Sequence, residues 1–212
     1  MPDLTSLILI APPILLALSF HEFAHGWVAD RLGDPTARQA GRLTMNPLAH
    51  LDVLGTIMIF IAHIGWAKPV PINPYNLRNP ARDVVWVSLA GPAANLLMAL
   101  GFGLIFRALI LGDLLGPLPQ PVLYMISFGV LINIVLAVFN LIPIPPLDGS
   151  RILGGLLPME LQREYRKLDR FGPMLILVLV MGGYMLNIPI LWWIITPFIR
   201  IFSVLFAGYP LG

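Results

Sequence analysis

Two histidines four positions apart, with a glutamate directly after the first, form the most reactive pattern in the sequence: His21-Glu22-Phe23-Ala24-His25. On an α-helix, side chains four residues apart lie on one face, so His21 and His25 can bind one metal ion. Neutral imidazoles favour zinc, and Glu22 would then lie beside the ion as general base for a metal-bound water. The pattern lies in apolar sequence, where ionisable side chains are costly and usually functional. It therefore predicts a zinc site rather than two histidines that merely find hydrogen-bond partners.

Composition defines the surroundings of this motif. Of the 212 residues, 58% are hydrophobic and only 11% are charged, against about 25% charged residues in a typical soluble domain. These values, with a mean hydropathy of +0.84, predict an integral membrane protein. The net charge of +2 is too small to indicate a nucleic-acid partner, and the lack of cysteine restricts metal ligands to His, Asp and Glu. The N-terminal apolar run has no basic start of a signal peptide, so we expect it to be retained.

Apolar runs divide the chain into candidate membrane helices. Five runs are predicted to span the bilayer, the last two as a hairpin: 4–29, 84–111, 121–141, 171–187 and 189–207. A further run, 51–66, is shorter than the roughly 20 residues that a crossing needs. The predicted fold class is an all-α polytopic membrane protein with about five transmembrane helices, a re-entrant segment and a short β-like loop.

The third metal ligand follows from topology. Asp148 is the only acidic residue just beyond a span end in a proline-broken stretch, while His21 and His25 lie near the exit end of the first span. All three can reach one ion only if the first span and the 121–141 span run in the same direction. That condition requires 51–66 to enter the membrane and return, so that a single full span intervenes. The sequence thus predicts one zinc ion per chain, bound by His21, His25 and Asp148.

The distribution of basic residues gives the orientation independently. With the N-terminus outside, the inner-side segments hold eleven of the thirteen basic residues, namely Arg31, Arg38, Arg42, Lys68, Arg78, Arg82, Arg151, Arg163, Arg166, Lys167 and Arg170. The outer loop 112–120 holds none. This asymmetry matches the positive-inside rule. We therefore expect a multi-pass cell-membrane protein with its C-terminus in the cytoplasm and its site near the cytoplasmic face.

A proline-rich stretch after the short apolar run is the predicted β-like loop. It contains Lys68, Pro69, Val70, Pro71 and Ile72. Alternate prolines forbid a helix and favour an extended edge. A helical substrate hides its scissile carbonyl in its own hydrogen bonds, and an unwound substrate could pair with such an edge as an added strand. We expect these five residues to bind substrate in this way, with a plain packing role as the alternative.

Three spaced motifs carry a family likeness. They are His21-Glu22-Phe23-Ala24-His25, Ala90-Gly91-Pro92-xx-Asn95 and Asn140-xx-Pro143-x-Pro145-x-Leu147-Asp148-Gly149. Together they resemble the site-2 protease family of intramembrane zinc metalloproteases, and the likeness runs from about residue 19 to residue 155. Asn46-Pro47-xx-His50 and the stretch 65–71 are similar to features of its small prokaryotic members. The PDZ or CBS domains of larger members have no counterpart in this sequence.

The resemblance implies a zinc-dependent endopeptidase that cleaves transmembrane protein or peptide substrates inside the lipid bilayer, in regulated intramembrane proteolysis. It also implies that Asn140 contacts the substrate or the oxyanion, with an interhelical amide bond as the alternative. Asn95 is given the same role, with hydrogen bonding to the ligand loop as its alternative. Residues 1–155 would form the metalloprotease core, and 156–212 an amphipathic inner-side helix with a C-terminal transmembrane hairpin.

Other classes of protein place similar residues in a membrane. A zinc carrier or channel would not need Glu22 and would distribute ionisable residues along a path through the membrane. A membrane zinc hydrolase of another type, such as one acting on prenylated peptides, generally takes its third ligand from His or Glu instead of an aspartate like Asp148. An inactive scaffold is disfavoured because every needed residue is present. Asn133 is expected to join helices, and His50 and His63 are expected not to bind metal.

Overall fold

The structure, a computed structural model, describes residues 4–52, 54–55, 67–113, 116, 118–186 and 189–211. Its α-helices are α1 (Leu4–Arg31), α2 (Thr36–Gln39), α3 (Pro80–Leu111), α4 (Gln120–Asn140), α5 (Asp148–Leu156), α6 (Met159–Arg166), α7 (Gly172–Leu186) and α8 (Ile190–Ala207). Short 3-10 helices cover Pro47–Ala49, Pro74–Asn76 and Lys167–Arg170. Within these ranges the backbone forms no β-strand, only an isolated antiparallel bridge between Leu51 and Ala67. The predicted all-α class is therefore confirmed.

Four of these helices, α1, α3, α4 and α8, are long and apolar enough to cross a membrane. The predicted fifth span is α7, which is apolar but has only 15 residues. At 1.5 Å per residue it is about 22 Å long, shorter than the roughly 30 Å hydrocarbon core of a bilayer. The described part of the chain thus supports a multi-pass membrane protein with four membrane-length helices, and the count of about five spans stays a prediction.

The predicted re-entrant segment, 51–66, falls mostly outside the described residues, which exclude residue 53 and residues 56–66. The predicted β-like loop is described, and it has no regular structure over residues 68–73. Pro69 and Pro71 explain this, because proline has no N–H to give to a β-ladder. We refer to residues 68–73 as the proline segment.

Helix α3 is the centre of the bundle, where it packs against α1, α4, α5 and α8. Its direction relative to α1 follows from two contacts near the histidines. His25 pairs with the carbonyl of Val87, and His21, four residues earlier, pairs with Asn95, eight residues later. The earlier residue of α1 therefore contacts the later residue of α3, so the two helices are antiparallel.

The same reasoning gives the direction of α4. Asn95 of α3 hydrogen-bonds Asn133 of α4, while a Cβ on Gly129 would lie 2.9 Å from the ring of Phe102. Helix α4 is therefore antiparallel to α3 and parallel to α1. The predicted relation between the first span and the 121–141 span is confirmed.

Helix α8 completes the apolar core with α3 and α4. The buried core residues are Ala99, Val130, Ile134, Val138, Ile195, Ile199 and Phe206. A Cβ on Gly103 would lie only 2.7 Å from the Cβ of Phe206, so glycine lets the two backbones come close. Since α8 shares this core, the boundary at residue 155 does not separate two packing units, and the predicted division into 1–155 and 156–212 stays a functional prediction.

Candidate metal centre

Three predicted ligand atoms converge at one point. The Nε2 atoms of His21 and His25 lie 3.0 Å apart, and Oδ2 of Asp148 lies 3.2 Å from each. All three residues are at most 9% exposed. Tetrahedral zinc with ligands about 2.0–2.1 Å away holds its ligand atoms about 3.3 Å from one another. Within the described residues, this is the group of His, Asp and Glu side chains found able to hold a metal ion.

The polar atoms at this point are suited to binding a cation. Oδ2 of Asp148 is buried and receives no hydrogen bond from the described residues. Nδ1 of His25 lies 2.6 Å from the carbonyl oxygen of Val87. A carbonyl only accepts, so Nδ1 carries the proton and the lone pair of Nε2 is directed into the site. A buried carboxylate oxygen beside an imidazole lone pair fits a zinc ion, because both are ligand atoms that zinc prefers and the ion would pair with both at once.

Helix α1 and the loop after α4 position the ligands. His21 and His25 are one turn apart on α1, and Asp148 is the first residue of α5. A Cβ on Gly149 would lie 2.2 Å from the carbonyl oxygen of Leu141, so only glycine lets α5 start this close to the end of α4. The Tyr165 hydroxyl donates to the carbonyl of Pro143 at 2.7 Å and holds the loop from the α6 side.

Gly91 is essential to the geometry of the site, and sequence reasoning gave it no role beyond the family likeness. A Cβ at this position would lie 2.4 Å from Nε2 of His25 and 2.7 Å from Nε2 of His21. The missing side chain of Gly91 therefore leaves the space where the ligand atoms meet. The sequence shows only that Gly91 is a small residue inside a predicted span. Such residues are too common to indicate a position beside a metal site.

Glu22 contacts the proline segment. Its Oε2 accepts a hydrogen bond of 2.8 Å from the backbone N–H of Val70. The backbone N–H of Lys68 donates to the carbonyl of His50, also at 2.8 Å, and the carbonyl of Lys68 accepts from Arg42. The proline segment is thus held against Glu22, the residue predicted to be the general base. The sequence did not predict this contact.

Asp34, also missed from the sequence, anchors the other end of the proline segment. Its fully buried carboxylate accepts from the backbone N–H of Asn73 at 2.7 Å, from Nδ2 of Asn76 at 2.9 Å and from the backbone N–H of Thr36 at 3.1 Å. Burial alone would raise the pKa of Asp34, but the hydrogen bonds from Thr36, Asn76 and Asn73 outweigh burial and lower it. An aspartate before a proline reads only as a turn, so its long-range partners were not predictable.

The two predicted substrate-binding asparagines differ in their surroundings. Asn95 is fully buried, and its Oδ1 lies 2.6 Å from Nδ1 of His21. It thus contacts a predicted zinc ligand, a partner that neither sequence alternative named. Asn140 is half-buried, and its Nδ2 donates to the carbonyl of Leu136 in its own helix at 2.9 Å.

The two remaining histidines were predicted not to bind metal. Nε2 of His50 lies 2.8 Å from the carbonyl of Thr44, and His50 is not part of the metal-binding group. His63 lies outside the described residues.

A cavity of about 660 Å³ opens beside the centre, between α3, α5, α6 and the proline segment. Its lining includes Val87, whose carbonyl holds His25, and Ser150, two residues after Asp148. Ile72 of the proline segment lines it as well. The cavity therefore reaches the residues that surround the ligand atoms.

A buried His-His-Asp cluster inside a bundle of membrane-length helices, with a glutamate next to the first histidine, has the ligands and the acidic neighbour that a zinc hydrolase site needs. Comparison with known proteins agrees. Residues 115–182 match the model of peptidase family M50. No solved structure matches the chain.

Several relatives carry the name zinc metalloprotease. YwhC of Bacillus subtilis is 39% identical over 178 residues, which are 82% of this chain and 81% of YwhC. Rip2 of Mycobacterium tuberculosis is 33% identical over 174 residues, 79% of this chain and 64% of Rip2. MJ0611 of Methanocaldococcus jannaschii is 32% identical over 138 residues, 63% of each chain. The chain belongs to peptidase family M50, the site-2 protease family.

Family membership confirms three predictions: the family itself, the zinc metallopeptidase class and the zinc cofactor. It also decides against a zinc carrier and against the other type of membrane zinc hydrolase. The family and the four membrane-length helices agree on a multi-pass membrane protein.

Proposed function

We propose that this chain is an intramembrane endopeptidase that cleaves membrane-spanning segments of protein substrates near the cytoplasmic face, with zinc bound by His21, His25 and Asp148. The observation that carries the proposal is the convergence of their three ligand atoms, 3.0–3.2 Å apart. Three protein ligands leave a fourth position, as catalytic zinc sites require.

The proposed chemistry divides between the metal and Glu22. Zinc, when bound, supplies a water of lowered pKa and polarises the scissile carbonyl. Glu22 follows a ligand directly in sequence, and only its Oε2 is hydrogen-bonded within the described residues, to Val70. The other carboxylate oxygen, Oε1, is available to accept the proton of the attacking water and to deliver it to the leaving amine.

We place the site near the cytoplasmic face because the basic segments lie at the same end of the bundle as the site. The backbone N–H of Arg78 donates to the carbonyl of Leu32 at 3.1 Å, so the end of α1 and the start of α3 are adjacent. Tyr165, in the stretch 159–170 that holds Arg163, Arg166, Lys167 and Arg170, donates a hydrogen bond to the loop that carries Asp148. The basic residues of these segments therefore lie at the site's end of the bundle, which the positive-inside rule assigns to the cytoplasm, with the N-terminus outside.

We further propose that 51–66 re-enters the membrane instead of crossing it. The bridge between Leu51 and Ala67 supports this, since it places both ends of the segment side by side. A segment whose ends meet begins and ends on the same side of the membrane.

The proposed substrate contacts are Asn140 and the proline segment. An unwound substrate strand would pair with Lys68, Pro69, Val70, Pro71 and Ile72. Ile72 supports this role because its N–H makes no hydrogen bond to other described residues. Asn140 supports it because Oδ1 of its half-buried side chain likewise accepts none from them.

The first test compares zinc content and cleavage of a single-span protein substrate in detergent for the parent and Glu22→Gln. We expect the variant to retain zinc and to lose about 10²–10⁴-fold in cleavage rate, as for removal of a general base. Glu164→Gln, an exposed change in a surface pair with Lys167, is the matched control and should cleave like the parent. A Glu22→Gln protein that cleaves at the parental rate contradicts the mechanism.

A further inference from the structure

Two buried asparagines connect the zinc ligand His21 to the interior of the helix bundle. Asn95 on α3 and Asn133 on α4 are both fully buried. Oδ1 of Asn133 accepts from Nδ2 of Asn95 at 2.9 Å, and Oδ1 of Asn95 faces Nδ1 of His21 at 2.6 Å. The chain of contacts therefore runs across three helices, from α4 through α3 to α1.

The orientation of each amide is determined by a backbone carbonyl, which can only accept a hydrogen bond. The carbonyl of Gly129 lies 2.8 Å from Asn133, so the amino group of Asn133 must face it and Oδ1 must face Asn95. The carbonyl of Ala17 lies 3.1 Å from Asn95, so the amino group of Asn95 must face that carbonyl. Both hydrogens of the Asn95 amino group are then occupied, by Ala17 and Asn133.

The consequence reaches His21. With its amino group occupied, Asn95 can present only Oδ1 to the imidazole, so Nδ1 of His21 must carry the ring proton. The lone pair of His21 is then on Nε2, the atom that lies 3.0 Å from Nε2 of His25. A reversed Asn95 amide would place its oxygen against two acceptors in a buried site, which is strongly unfavourable.

We propose that Asn133 and Asn95 form a positioning relay that fixes the tautomer and ring orientation of His21 for zinc. The proposal rests on the proposed zinc ligation by His21. It gives Asn133, in α4, a role in metal binding although it touches no ligand. Partners behind metal-binding histidines commonly change metal affinity about 10–100-fold when removed.

The test measures zinc affinity by competition with a chelator in detergent, independently of cleavage. Asn95→Leu should weaken zinc binding about 10–100-fold. Asn133→Leu should weaken it by about threefold to tenfold, because Asn95 still donates one hydrogen bond, to Ala17, that fixes its amide. Because Asn133 acts through Asn95, adding Asn133→Leu to the Asn95→Leu background should produce no further loss. Equal losses in both backgrounds, or parental affinity in folded Asn133→Leu, would overturn the relay.

Matched variants separate the relay from simple helix packing. Asn133→Asp is isosteric, and with its carboxyl group protonated it can donate to Gly129 and accept from Asn95, so it should restore affinity to within about threefold of the parent. Ser127→Ala removes a hydrogen bond within α4, to Tyr124, and should leave zinc affinity unchanged. An Asn133→Asp protein as weak as Asn133→Leu contradicts the proposal.

A spectroscopic measurement covers the case in which the leucine variants fail to fold. In the zinc-loaded parent, ¹⁵N NMR of the histidine rings should show His21 protonated at Nδ1 and metal-bound through Nε2. The opposite assignment would overturn the relay. Failure of the proposed function has a different signature, because the parent would then bind no zinc or would retain it after His21→Ala.

Discussion

The metal centre and the proline segment are neighbours that are held in different ways. At the centre, the supporting partners of His21 and His25 are uncharged, namely the amide of Asn95 and the carbonyl of Val87, and both lie inside membrane-length helices. The proline segment is held by charged side chains, the carboxylates of Glu22 and Asp34 and the guanidinium of Arg42, and by the carbonyl of His50.

The difference separates a fixed part of the site from an exchangeable one. A buried amide or carbonyl that loses its partner costs about 1–3 kcal/mol, so the centre resists rearrangement. The hydrogen bond from Val70 to the half-buried Glu22 can be exchanged for one to water or to a substrate, whereas the fully buried Asp34 is a permanent anchor of the proline segment. Glu22 belongs to both regions, since it follows His21, a proposed zinc ligand, and its carboxylate also accepts a hydrogen bond from the N–H of Val70.

The largest expected effect comes from placing a methyl group in the space beside the histidines of the metal centre. In Gly91→Ala the new methyl would lie 2.4 Å from Nε2 of His25, and we expect zinc affinity to fall about 100-fold or more. Gly101→Ala is the control on the same helix, because a Cβ there meets nothing within 4 Å. Metal analysis of the purified proteins measures the difference. Full zinc loading of Gly91→Ala would show that the centre is more adaptable than its geometry indicates.

Next in size is the loss of Asp34, the buried anchor of the proline segment. Asp34→Asn replaces one carboxylate oxygen by an amino group, so either Asn73 or Asn76 loses its acceptor, and we expect about 1–3 kcal/mol of destabilisation with zinc retained. In Asp30→Asn, the partner Arg38 is 64% exposed, so that change should cost less than about 1 kcal/mol. Unfolding in detergent gives both values. Zinc loss in Asp34→Asn would show that the two regions are not separable.

The same anchor predicts a pH dependence. The pKa of Asp34 is lower in the folded protein than its ordinary value, so its stabilisation is present above about pH 4, the unfolded-state pKa. The stabilisation is lost as pH falls through the folded-state pKa. The difference in unfolding temperature between the parent and Asp34→Asn should therefore shrink from pH 6 to pH 3. A constant difference over this range contradicts the assignment.

The smallest expected effect concerns substrate pairing at the proline segment. Ile72→Pro removes an N–H that makes no hydrogen bond to other described residues, whereas Ile72→Val keeps it. Loss of one substrate hydrogen bond, about 0.5–1.5 kcal/mol, should lower cleavage about twofold to tenfold with zinc unchanged. Initial rates on the single-span substrate measure this. Equal rates for the two variants would favour a packing role for the segment.

Local rules in the sequence were sufficient for much of the fold. Spans 84–111, 121–141 and 189–207 correspond to α3, α4 and α8, because apolar length alone determines whether a helix can cross a bilayer. For 171–187 the described part of the helix, Gly172–Leu186, has 15 residues, so this fifth span stays a prediction.

The sequence by itself determined the chemistry of the site. The spacing of His21 and His25 places them on one helix face, and the shared direction of the first and 121–141 spans brings Asp148 to them. What the tertiary structure alone decided is how that chemistry is supported: the space left by Gly91, the amide of Asn95 behind His21, and the N–H of Val70 on Glu22. These contacts join residues far apart in the chain, and their partners are often backbone atoms. Because every residue has a backbone carbonyl and nearly every residue an N–H, residue type cannot indicate which of them will meet.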